Sequence, residues 1–120
     1  MDPKAKNKIL LIEPPFYRLF HDKYSLDKYP LSLGYLAGTI KKCTDWDVMA
    51  YNADFNPKSI AKRISYLSGV GFTNYRNNLK HLSASIWNEV KSTILEFKPT
   101  VVGITSKTPN FESASIVARI

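Results

Sequence analysis

The chain has 120 residues, 44% hydrophobic and 22% charged, with 17 Lys and Arg against 10 Asp and Glu. That balance excludes a disordered tail and suffices for one globular domain with its own core, while a lone cysteine, Cys43, excludes an internal disulfide or an all-cysteine metal site. No apolar run reaches membrane-spanning length and the opening "MDPKAKNK" lacks an apolar signal region, so the expected compartment is the cytoplasm.

The formal charge of +7 invites a phosphate-bearing partner. The basic residues are scattered, however, over the terminus (Lys4, Lys6, Lys8), the end of one helix (Lys41, Lys42) and the flank of another (Lys58, Lys62, Arg63). This is the pattern of solvated helix ends, and no nucleic-acid partner is expected.

In chain order, "KILLIE" reads as a strand buried on both faces, which points to a parallel sheet. Pro14 and Pro15 lack the N–H groups that would continue the ladder. A long loop then runs to Pro30, and loops of that length inside a compact domain usually carry function. Leu33, Leu36, Ala37 and Ile40 mark one face of a helix ending at Lys41 and Lys42. A second strand spans about Asp47 to Ala53 and closes in the polar group Asn52, Asp54, Asn56. Asn56 and Pro57 are a cap and first-turn pair for a helix carrying Ile60, Ile64 and Leu67, which Gly69 and Gly71 stop.

From Tyr75 to Phe97 the apolar spacing is helical, with a possible break at the cap-type residues Ser83 and Ser85. A short buried strand then runs Thr100 to Thr105, "SKTPN" forms a polar loop, and Asn110 is placed to cap a last helix with Ala114, Val117 and Ala118. Alternating strands and helices predict an α/β fold with a parallel, flavodoxin-like (Rossmann-like) sheet, three strands in the order 2-1-3. Doubly wound sheets normally hold about five strands, so the expectation is a truncated domain whose open edge favours self-association.

In such sheets ligands bind beyond the carboxyl ends of the strands, where strand order reverses. Pro14, Pro15, Phe16 and Tyr17 would form one wall there, and Thr105, Ser106, Thr108 and Asn110 the other. Gly34 and Gly38 permit close approach, either to a flat ligand or of the helix to the sheet. The chain has no GxGxxG, P-loop, GxSxG or paired-cysteine motif. His21 in the long loop and His81 near a helix are isolated, Cys43 reads as a small residue at a helix end, and Glu13 reads as a strand-end group that accepts from backbone amides. These residues alone do not make a catalytic constellation.

The segments "KILLIEPPF", "YPLSLGYLAGTIKK", "DVMAYNAD" and "IWNEVKSTILEFKPTVVGITSKTPNFESASIVARI", in this order, resemble the N-terminal cobalamin-binding domain of cobalamin-dependent radical S-adenosylmethionine enzymes. That group includes methyltransferases and anaerobic magnesium-protoporphyrin IX monomethyl ester cyclases. The resemblance implies a cobalamin site involving Pro14, Pro15, Phe16, Leu33, Gly34, Thr105, Ser106, Thr108 and Asn110. It also implies a following radical domain that holds S-adenosylmethionine and an iron–sulfur cluster, because the CxxxCxxC motif is absent here. The DxHxxG motif of methionine-synthase-type domains is missing too: the corresponding stretch reads "EPPFYRLFHDKYS", so no cobalt-ligating histidine is implied. A non-catalytic flavodoxin- or receiver-type binding module is the alternative, although Glu13 followed by two prolines does not supply a receiver's clustered acids.

Overall fold

A short run of branched apolar side chains with no room for a turn can bury itself only in the middle of a sheet. In the computed structural model, which describes residues 7–20, 31–55 and 69–120, that run is β1 (Lys8–Glu13). β2 (Asp47–Asn52) pairs with one side of it and β3 (Val101–Ile104) with the other, both parallel, giving the order β2-β1-β3. The α/β, three-stranded parallel sheet in the expected 2-1-3 order is therefore present, and it agrees with a flavodoxin-like, Rossmann-like architecture.

Strand side chains alternate between faces, and the core follows that alternation. Leu10 and Ile12 join Leu19, Ala53, Ile86, Trp87, Val90, Ile116 and Val117 in one buried cluster. Leu11 points the other way, toward the side where α2 (Leu31–Cys43) packs on β2 and β1 and buries Leu33. The first cluster is completed by α1 (Tyr17–Phe20), α4 (Ser85–Phe97) and α5 (Phe111–Arg119), with Tyr75 and Leu79 of α3 (Gly69–Lys80) packed against it.

Several local expectations change. Gly69 and Gly71 lie in the first turn of α3, and the helix they are expected to stop lies outside the described residues. The helix expected from Asn56 through Leu67, and the part of the long loop that contains His21, fall outside the described residues. The break between α3 and α4 is real: the two helices end and begin at Lys80 and Ser85, and the Trp87 indole N–H donates to the Asn78 carbonyl at 2.8 Å across it. Of the predicted apolar face of α2, Leu33 is buried and Ala37 and Ile40 are half-buried, but Leu36 is exposed. Gly38 is exposed as well, and a Cβ there would meet nothing within 4 Å, so close packing does not explain this glycine.

Candidate functional site

The β1–β3 side of the carboxyl edge is drawn together by the chain's own polar groups. Pairing continues past the strands, with the Thr105 N–H donating to the Ile12 carbonyl at 3.0 Å and the Ala53 N–H to the Glu13 carbonyl at 2.9 Å. The Thr105 hydroxyl donates to Glu13 Oε2 at 2.6 Å, and the buried Ser113 hydroxyl of α5 donates to the Pro15 carbonyl, also at 2.6 Å. The start of the first loop and the loop after β3 are thus neighbours at one pole of the sheet, as the sequence predicts.

The candidate residues divide by what they face. Pro14 and Pro15 are fully buried, so they shape the turn and offer no surface. Phe16 is half-buried and Thr105 is engaged with Glu13. Asn110 is buried, and its Oδ1 accepts the Lys107 N–H at 2.7 Å. Its side chain makes no cap bond to α5, because the tight 3-10 turn Thr108–Asn110 directs it back across the loop instead. Leu33 is buried beneath α2 and Gly34 is half-buried. Ser106, Lys107 and Pro109 remain exposed and form the accessible rim of the loop after β3.

A second polar arrangement lies on the β2 side, and sequence reasoning did not find it. Asp54 is 2% exposed, and its Oδ1 accepts the backbone N–H groups of Phe16 at 2.9 Å and Arg18 at 3.0 Å, satisfying donors that the start of α1 leaves free. Burial pushes this carboxyl up to about 6, against the pull of the Arg18, Phe16 and Tyr17 amides, and the charge of Glu13 adds to the rise. Arg18 donates to the Ala53 carbonyl and forks onto both oxygens of Glu89 at 3.0 and 2.8 Å. Burial works against the guanidinium charge, but Glu89 more than offsets it and raises its affinity for the proton, while the same bond holds Glu89 below its ordinary range. The only advance signal was the polar group at the end of β2, which marked a strand end without showing which backbone it would hold.

The C-terminal end of α1 is held by amides. Asn74 donates to the Phe20 carbonyl at 3.1 Å and Asn78 to the Leu19 carbonyl at 2.8 Å. Alongside, Phe20 stacks on Tyr75 with centroids 4.6 Å apart, and Phe16 meets both rings edge-on. A cavity of about 340 Å³ between α1, α3 and α4 is lined by Arg18, Asn74, Asn77, Asn78 and Ser85 among others. No group of three or more potential metal-ligating side chains occurs among the described residues.

A large planar ligand approaching the carboxyl edge would therefore meet Phe16, Ser106, Lys107 and Pro109, with Pro14, Pro15, Thr105 and Asn110 holding that rim from behind. The half-buried Phe16 ring, the exposed Ser106 hydroxyl and the exposed Lys107 ammonium suit a ligand with an apolar ring and amide edges. Compared with protein-family models, with curated proteins and with solved structures, the chain matches none.

Proposed function

We propose that the chain is a ligand-binding α/β module that takes cobalamin at the carboxyl edge of its sheet. The observation that carries this reading is the side-by-side placement of the loops after β1 and β3, pinned by the Thr105–Glu13 and Ser113–Pro15 bonds. Ligands in open parallel sheets sit where strand order reverses, and the order β2-β1-β3 puts that reversal at β1. The choice of cobalamin rests on the resemblance of the ordered segments to the cobalamin domains of radical S-adenosylmethionine enzymes. On this reading Phe16, Ser106 and Lys107 contact the ligand, while Pro14, Pro15 and Asn110 fix the rim. Methyl transfer or oxidative cyclisation of a tetrapyrrole-like substrate would belong to a radical domain with its own S-adenosylmethionine and iron–sulfur cluster.

The test is a titration of the protein with hydroxocobalamin, followed by visible absorption and by co-elution in gel filtration. A shifted corrin spectrum and a co-eluting red band are expected. Ser106→Trp, an exposed position, should abolish both while leaving the far-ultraviolet dichroism unchanged. An unaltered spectrum with free elution of the cobalamin throughout the titration rejects the reading.

A further inference from the structure

α3 presents Phe72, Tyr75, Arg76, Leu79 and Lys80 at helical spacing along one side. With Glu112 of α5 they line a groove of about 380 Å³, within the size range of small-molecule sites. Its floor is a tier of rings. Tyr75 is stacked on Phe20 on one side, and Phe72 lies 6.2 Å from Tyr75 at 27°. Phe72 is 46% exposed, so part of its ring is open to a ligand.

The charges around this platform are unbalanced in one direction. The Arg76 guanidinium lies 6.0 Å from the Phe72 ring centroid, and neither Arg76 nor Lys80 has an ion pair among the described residues. Glu112, the single acid of the groove among the described residues, stands close enough to Tyr75 to act on its phenol, which burial raises first and the Glu112 charge raises further. Rings without cations would suit an apolar ligand, and cations without rings would suit a bare anion. Among the described residues, ring faces, two cations without an ion pair and one carboxylate share this groove, which fits a ligand that is flat, hydroxylated and anionic at once.

We propose that the α3–α5 groove binds a nucleotide, with the base on the Phe72–Tyr75 platform, the sugar hydroxyls donating to Glu112 and the phosphate between Arg76 and Lys80. Stacking on an aromatic face tolerates any base, because every base has a π-face. Arg76 serves twice, since its guanidinium lies within cation–π range at 6.0 Å from the Phe72 ring centroid and its N–H groups can turn to phosphate oxygens. Of these side chains only Tyr75 touches the proposed cobalamin rim, through the Phe16 ring, so variants at Phe72 and Arg76 test this reading apart from that one.

The experiment uses the whole chain and AMP, with adenosine and inorganic phosphate as separate arms, read by amide chemical-shift changes and calorimetry. AMP should shift amides of α3 and the start of α5, and should bind more tightly than adenosine or phosphate. Phe72→Leu, which keeps the apolar bulk and removes the ring, and Arg76→Ala should each weaken AMP by about tenfold or more. Lys91→Ala, on α4, should leave AMP binding unchanged, and the groove variants should leave the cobalamin titration unchanged. The proposal is overturned by any of four results: AMP shifts no α3 amide at millimolar concentration, phosphate alone binds as well as AMP, the Phe72 and Arg76 variants bind normally, or only a single-stranded oligonucleotide binds.

Discussion

Asp54 shows how one buried carboxylate can both order a loop and weaken the fold. The Phe16 and Arg18 amides donate to the same oxygen, which a neutral side chain can also offer, while the Tyr17 amide adds to the pull on the charged form. The charge costs desolvation, which is why the carboxyl is pushed up from 3.8 to about 6. The folded state therefore holds this proton more tightly than the unfolded chain. Its contribution to stability is largest below 3.8, falls as pH rises, and reaches its unfavourable limit above about 6. With each tenfold difference in proton affinity worth about 1.4 kcal/mol, the full swing is about 3 kcal/mol. Glu89 works in the opposite sense, because Arg18 lowers it and its stabilisation is lost as acid titrates it. Asp54→Asn keeps the accepting oxygen, so it should raise stability at pH 8 by up to about 3 kcal/mol and leave it nearly unchanged near pH 4. Urea melts at the two pH values check this, and a less stable variant at pH 8 would show that the charge itself holds α1. Glu13 and Arg18, the charged groups facing Asp54, are intact in both proteins.

Among the elements, two glycines behave oppositely. A Cβ at Gly103 of β3 would lie 2.9 Å from Leu11 Cδ2, the end of a side chain that is itself buried. Gly103→Val should therefore destabilise by about 1–3 kcal/mol through overpacking. Gly38 of α2 has open space instead, and Gly38→Ala should stabilise by about 0.5–1 kcal/mol by cutting the freedom of the unfolded chain. Thermal unfolding of the pair tests both, and an order reversed from this would sink the packing account. The contrast also shows what the sequence made legible. β1, β2 and β3 were readable because apolar runs bounded by prolines and polar clusters have few other uses, and from them the order of the sheet followed. The start of α3 was not readable, since glycines at its first turn look the same as a stop signal. Nor could the pattern separate Leu33 from Leu36, because helical spacing gives a face but not the width of sheet available to cover it. At the carboxyl edge, the sequence placed the loops after β1 and β3 side by side, as the structure has them, yet took buried prolines for a wall, as the turn that hides them depends on Asp54 and Ser113 from distant segments.

The molecule as a whole keeps two unpaired sheet borders among its described residues, on the outer sides of β2 and β3. β3 is the more exposed to pairing: its four residues carry no charge, and Val101 and Val102 are 44% and 38% exposed. Natural sheets blunt such borders with lysine, proline or a covering element. The net charge of +7 opposes contact between copies, so association should strengthen as salt screens it. Light scattering is expected to show a mass that grows with concentration and with added salt, and Val102→Lys should hold the protein monomeric. A constant monomer mass for the unmodified chain over the same range would count against pairing through this border.

The middle strand of the sheet is also the first to be made. Lys8 is joined to Thr100, 92 positions later, by the Thr100 N–H to the Lys8 carbonyl at 2.7 Å and by the Lys8 N–H to the Thr100 hydroxyl at 3.1 Å. A ribosome adding about 5–20 residues per second needs roughly 5 to 20 seconds to cover that interval. In the later part of it, once "KILLIE" has left the exit tunnel, its β3 neighbour is not yet synthesised and that edge of the strand is open to other contacts. That edge is covered only when β3 has itself left the tunnel and paired with it.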